Sequence, residues 1–270
     1  MSTARVRDIE MAYDDAGSGP PLILLHGFPF NRSMWREQAE ALSERYRVIT
    51  PDLRGMGETT AAVASVGDEP ATMNMMAQDV ADLMDQLRIS RAAIGGISMG
   101  GYVALALVHK FRLRVRALIL ADTRPQADTD EARANREQQA RKVLDEGMDA
   151  LVEAMLPKLL APSTINEQPS IVERLREMMT GTGAAGAAAA LRGMALRSDR
   201  TFFLPDILAP TLIIVGSEDR ITPLEDAELL RREIRGSRLE VIEGAGHVSN
   251  LERPMQFNYA LKDFLDALQP

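Results

Sequence analysis

Apolar residues recur along this chain in two rhythms. Short runs such as Pro21-Leu22-Ile23-Leu24-Leu25, Ala117-Leu118-Ile119-Leu120-Ala121 and Thr211-Leu212-Ile213-Ile214-Val215 are apolar at nearly every position and bounded by charged, Gly or Pro residues. Runs of that length predict strands buried on both faces of a sheet, here at 21–25, 46–50, 92–97, 115–121, 211–215 and 238–242. Between them lie longer stretches with apolar residues three or four apart, which predict helices over 33–43, 73–87 and 99–111 and an amphipathic helix over 254–268. Residues 5–13 read as a strand that forms a hairpin with 21–25 through the Asp- and Gly-rich turn 14–20. The alternation as a whole predicts the α/β class, a mostly parallel twisted sheet flanked by helices on both faces.

Residues 125–205 break the rhythm. They contain no convincing buried strand, and the pieces 130–146, 148–156, 170–179 and 186–196 all read as helices. The Ala-rich run 184–190 is a strong helix former whose small side chains permit close packing on a neighbour. The expected organisation is an α/β core formed by 1–124 and 206–270, with 125–205 inserted as a helical cap (lid). Ligand sites in such sheets lie at the carboxyl ends of the strands, where this insertion is rooted, so a lid is expected over them.

The candidate chemistry begins at Gly95-Gly96-Ile97-Ser98-Met99-Gly100-Gly101, between a strand-like and a helix-like run. A G-x-S-x-G in that setting predicts a nucleophile elbow, a tight strand-to-helix turn that exposes Ser98 at a helix N-terminus. The amide of Met99 is there an unpaired donor for a developing oxyanion. A serine hydroxyl needs a base and a group that orients the base. Of the three histidines, His109 lies at the far end of the helix that Ser98 opens, roughly 15 Å away by helix rise. His26 sits in the loop His26-Gly27-Phe28-Pro29 after an early strand and reads as a packed loop residue. His247, in a Gly-bounded loop after the strand 238–242, is the candidate base. Asp219, in the polar loop after the strand starting at Thr211, is the candidate orienting acid. Its rivals are Glu218, which would have to point the other way round the turn, and Asp122, which ends a neighbouring strand. The amide of Phe28 is the expected second oxyanion donor beside that of Met99. Gly27, Phe28, Met155 and Val248 are the candidate pocket wall.

These motifs, with Pro51-Asp52-Leu53-Arg54-Gly55-Met56-Gly57-Glu58-Thr59, Leu120-Ala121-Asp122-Thr123-Arg124 and Gly244-Ala245-Gly246-His247, resemble the α/β-hydrolase superfamily over nearly the full length. Within it the chain is most similar to small esterases, 3-oxoadipate enol-lactonase-like hydrolases and cofactor-free haloperoxidases (perhydrolases). The resemblance implies the α/β-hydrolase fold, a cap after the strand that follows the elbow helix, and hydrolysis of a carboxylic ester or lactone by the order Ser98, Asp219, His247. There are departures. Met56 and Thr59 stand where the family often carries histidine and serine, in a loop read as structural. A serine nucleophile argues against the aspartate-dependent dehalogenases and epoxide hydrolases. The sole tryptophan, Trp35, lies outside the cap, whereas many enol-lactonases carry one there.

Composition narrows the alternatives. The chain has 270 residues, 46% hydrophobic and 26% charged, ordinary for a water-soluble globular protein. A net charge of −8 with no basic stripe argues against nucleic acid or anionic membranes as partners. The absence of cysteine removes disulfides, thiol chemistry and Cys-based zinc sites. No signal-like N-terminal segment and no apolar run near ~18 residues is present, so cytoplasmic residence is the default expectation. The reading is therefore a serine hydrolase with a small-molecule ester or lactone substrate, no metal or organic cofactor, and an oligomeric state that the sequence leaves open. Its activity should rise with pH through a histidine limb near ~6 to 7. The alternatives are a perhydrolase, a carbon-carbon bond hydrolase and, without catalysis, a ligand receptor on the same fold.

Overall fold

The computed structural model describes residues 1–59 and 69–268, so 60–68 and 269–270 of the expected core lie outside the described residues. Eight strands form one sheet: β1 (Ser2–Val6), β2 (Ile9–Ala16), β3 (Pro21–Leu25), β4 (Arg47–Pro51), β5 (Ala92–Ile97), β6 (Val115–Ala121), β7 (Thr211–Gly216) and β8 (Arg238–Ile242). Their spatial order is β1-β2-β4-β3-β5-β6-β7-β8. β1, β2 and β4 pair antiparallel, and every pairing from β4 through β3 to β8 is parallel. The α/β-hydrolase fold expected from the sequence is thus present. Alternate residues of β3 feed opposite sides of the sheet: Ile23 and Leu25 enter one apolar cluster, Leu22 and Leu24 the other.

The hairpin expected between 5–13 and 21–25 is corrected. Val6 pairs with Ile9 across Arg7-Asp8, where Arg7 takes φ +53°, so the hairpin lies within the N-terminal segment. β4 then separates β2 from β3. The reason is burial: β3 is apolar throughout and needs a neighbour on each side and cover on both faces, whereas β2 keeps exposed positions suited to the sheet margin.

Helices α1 (Arg36–Leu42), α2 (Met73–Gln86) and α3 (Met99–Lys110) follow β3, β4 and β5. Between β6 and β7 come α4 (Asp130–Glu146), α5 (Asp149–Leu159), α6 (Pro162–Glu167), α7 (Pro169–Thr180) and α8 (Ala184–Ala195). Of these, α6 was not expected; it is short, and Pro162 at its first position starts it directly after α5. The chain closes with α9 (Leu224–Glu233), α10 (Ser249–Glu252) and α11 (Pro254–Asp266). The chain runs from β3 to β4 on one side and then crosses to β5 on the other, so a crevice opens at the carboxyl ends of β3 and β5. Both Gly27-Phe28 and Ser98 sit at that switch point.

Candidate active site

β5 ends at Ile97, and Ser98 turns the chain into α3 with φ +53° and ψ −117°, a conformation that costs an ordinary residue of order 1–3 kcal/mol. Neighbouring groups hold it there. The Ser98 amide donates to the Ala121 carbonyl at 2.9 Å, and the Ser98 carbonyl accepts from the Gly101 amide at 2.9 Å and the Thr123 hydroxyl at 2.8 Å. The turn is so tight that a Cβ on Gly96 would lie 2.1 Å from the Gly100 carbonyl oxygen, and one on Gly100 would lie 2.1 Å from that of Leu25. Only glycine fits either position.

His247 reaches the same point from the loop after β8. Its Nε2 lies 2.8 Å from Ser98 Oγ, and its Nδ1 lies 2.8 Å from Asp219 Oδ2. Asp219 is fixed in turn: Oδ1 accepts from the amides of Ile221 (2.8 Å) and Thr222 (3.0 Å), and Oδ2 from the Thr222 hydroxyl (2.7 Å). An ionised carboxylate only accepts, so the pairing assigns the imidazole proton to Nδ1 and leaves Nε2 free to accept from Ser98 Oγ. Burial disfavours charge on both partners, yet each charged form is stabilised by the other. Burial would push His247 down, but the charge and hydrogen bond of Asp219 bring it above the ordinary histidine value. Burial would likewise push Asp219 up, but His247 and Thr222 hold its carboxyl below its usual value.

The remaining candidates fall into place around this line. His26 is fully buried; its Nε2 accepts from the Leu53 amide at 2.9 Å, and burial pushes its pKa down. His109 sits at the far end of α3 with its ring edge-on to Phe203 at 4.6 Å. The backbone of Glu218 is tied to the Ala245 carbonyl at 2.8 Å, and His247 Nδ1 meets Asp219 Oδ2 at 2.8 Å and the Thr222 hydroxyl at 3.2 Å. A Cβ on Gly27 would lie 3.3 Å from Ser98 Cβ, so the loop after β3 passes directly over the serine. Phe28 and Met155 belong to one apolar cluster with Met99, and Val248 is buried beside His247. The loop at 52–59 has a structural role. The Thr59 hydroxyl donates to the Asp52 carbonyl at 2.7 Å and accepts from the Ala12 amide at 3.0 Å, while Asp52 pairs with Arg32.

Residues 20–254 match the family described as alpha/beta hydrolase fold. The chain belongs to that family. This alpha/beta hydrolase is 32% identical over 262 residues to 3-oxoadipate enol-lactonase 2 of Acinetobacter baylyi, covering 96% of this chain and 94% of that protein. A thermophilic esterase from Thermogutta terrifontis shares its structure with a TM-score of 0.96 at 39% identity over 100% of both chains. A bromoperoxidase from Bacillus anthracis is similar with a TM-score of 0.85 at 25% identity, covering 98% of this chain and 99% of that one. Among the described residues, no helix of the hydrolase is long and apolar enough to cross a membrane.

Four buried polar residues beside the site escaped the sequence reading in these roles. Asp122, by sequence a rival to Asp219, directly follows β6. Its φ is +42°, its Oδ1 accepts from the Gly216 amide at 2.8 Å, and its Oδ2 accepts from the Ser249 hydroxyl at 2.6 Å. Gly216 precedes the Asp219 turn and Ser249 follows His247, so one carboxyl group ties together the segments that bear both. Burial, and then the charge of Asp219, push its pKa up to about 8. Glu252 accepts from the amides of Ala161 (2.9 Å) and Gly246 (2.7 Å), linking the end of α5 to the His247 loop. Of the four, only Thr222 carries a local signal, a hydroxyl three residues after an aspartate and just before Pro223.

Proposed function

We propose that this protein is a serine hydrolase that cleaves small carboxylic esters or lactones through an acyl-enzyme. The observation that supports it most is the His247 ring bridging Ser98 and Asp219 at 2.8 Å on each side. Ser98 Oγ attacks the substrate carbonyl carbon as its proton passes to His247 Nε2, and Asp219 stabilises the resulting imidazolium. The amides of Phe28 and Met99 face the carbonyl oxygen as it becomes an oxyanion, worth about 3 kcal/mol for each donor. Collapse breaks the bond to the alkoxy group, which takes the proton from His247 and departs. In a lactone it stays tethered to the acyl chain. Water then gives a proton to His247 and its hydroxide to the acyl carbon, and Ser98 Oγ leaves with the proton restored. Every proton in this sequence moves through His247.

The similarity to an enol-lactonase and to an esterase supports this substrate class. The five helices between β6 and β7, residues 125–205 in the sequence reading, serve as the cap that sets which acyl chain enters. Fluorophosphonate labelling and p-nitrophenyl ester turnover test the reading together. The wild type should be labelled stoichiometrically at Ser98, and Ser98→Ala should lose labelling and several powers of ten in turnover. A Ser98→Ala protein that keeps most of its activity overturns the nucleophile assignment, and an unlabelled, inactive wild type favours a receptor.

A further inference from the structure

Beside α3, one turn beyond Ser98, a small cleft is walled by Arg124, Arg197 and Arg200 around the ring of Tyr102. Its lining includes no aspartate or glutamate among the described residues. The Arg197 side chain is only 4% exposed and stacks on Tyr102 at 4.4 Å. Its Nε donates to the Gln126 carbonyl at 3.0 Å and its Nη1 pairs with Asp128 at 2.7 Å, but its buried Nη2 has no hydrogen-bond partner. Arg124 donates from Nη2 to the Ile221 carbonyl at 2.9 Å and lies 3.8 Å from Asp226, and its Nε is also buried without a partner. Arg200 donates to Asn74 Oδ1 at 2.7 Å; burial pushes its pKa down, and among the described residues no carboxylate opposes that shift.

The local charge does not balance. Asp128 also pairs with Arg136, so among the described residues the carboxylates paired with the guanidiniums of Arg124, Arg136, Arg197 and Arg200 are those of Asp128 and Asp226. A buried cation without a partner is costly, and an anion in the cleft would relieve that cost. The cavity volume is about 20 Å³, little more than the space for one water. That admits one carboxylate oxygen, a charged acceptor for the guanidinium N–H groups.

We propose that this cleft is a carboxylate subsite, filled either by the free carboxylate of a substrate reacting at Ser98 or by a small free carboxylate bound beside it. The cleft adjoins the segments that hold Ser98 in place. Thr123, next to Arg124, donates to the Ser98 carbonyl at 2.8 Å, and Tyr102 lies roughly 6 Å along the helix axis from Ser98. This substrate assignment rests on the hydrolase reading above, whereas binding of a free carboxylate does not.

Two measurements separate the sources. Mono-p-nitrophenyl esters of dicarboxylic acids from succinate to pimelate are compared with the neutral monocarboxylic esters of equal length, and acetate is titrated against Tm at constant ionic strength. If the substrate fills the cleft, the ratio of anionic to neutral kcat/KM falls about tenfold or more in Arg200→Gln and recovers largely in Arg200→Lys. A misfolded variant lowers both rates and leaves the ratio unchanged. If a free carboxylate fills it, acetate raises the Tm of the wild type more than that of Arg200→Gln, inorganic phosphate does not, and the ratio stays constant. A wild type inactive on every ester defeats the hydrolase reading, and the acetate titration still decides the subsite. An unchanged ratio together with no acetate effect, or equal stabilisation by acetate of wild type and variant, overturns the proposal.

Discussion

His247 carries the pH dependence of the proposed reaction, because only its neutral ring can accept the proton of Ser98. Its pKa lies above the ordinary 6.5 through the charge of Asp219, despite burial that works the other way. The acid limb of kcat/KM for a neutral ester should therefore rise with a midpoint above 6.5. A profile flat from about pH 5 to pH 8 would count against His247 as the base. Asp122 governs stability in a neighbouring window. With its pKa raised from 3.8 to about 8, the folded state binds a proton that the unfolded state releases, so this contribution is full at low pH and is lost as pH rises through that range. Asp122→Asn keeps the shape and removes the ionisation. Between about pH 5 and pH 9 the urea midpoint of the wild type should fall relative to that of Asp122→Asn, and parallel curves would refute the assignment.

Among the helices, α8 rests most directly on backbone. A Cβ on Gly186 would lie 1.7 Å from the Gly55 carbonyl oxygen, and one on Gly193, two turns further along the same face, 1.9 Å from that of Ala71. Alanine at 186 gains up to about 1 kcal/mol of helix propensity. The clash, however, forces backbone apart, an overpacking cost of about 1–3 kcal/mol or more. Gly186→Ala should thus lower Tm, where an exposed helical glycine would raise it. Such glycines were legible in the sequence only as members of a helix-like stretch, Gly186 within its Ala-rich run, because the backbone they touch lies more than a hundred residues away. The same distinction separates the rest of the fold. β5 and β6 were legible to the residue since β5 is a continuous buried run closed by Ser98, and β6 one interrupted by Arg116 and closed by Asp122. The Arg7-Asp8 turn was not, as it has neither glycine nor asparagine to mark it. Ser98 announced itself through glycines in sequence, and His247 and Asp219 through the loops that end their strands. The ties made by Asp122, Ser249 and Glu252 gave no such sign, since their partners come from other strands and loops.

At the scale of the molecule, the helices between β6 and β7 are built into the core. Val143, Leu151, Leu191 and Met194 complete the cluster on one side of the sheet, and Val152, Leu156, Leu159, Leu175 and Met179 the cluster on the other. Each such side chain contributes about 1.5–3 kcal/mol when buried. A handful therefore matches the whole net stability of a domain, about 5–15 kcal/mol. Polar ties add direction: the Thr182 hydroxyl donates to the Pro29 carbonyl at 2.8 Å, and the His247 amide donates to the Leu159 carbonyl at 2.8 Å. The proposed base thus hangs by its own backbone from the end of α5, and if the helices between β6 and β7 came away they would take His247 out of line with Ser98. These helices and the sheet should accordingly unfold together. Calorimetry should show one transition with equal calorimetric and van't Hoff enthalpies, and ester hydrolysis should be lost within it. Two resolved transitions, with activity surviving the first, would mean that 125–205 is an independent unit whose contacts with the His247 loop are dispensable.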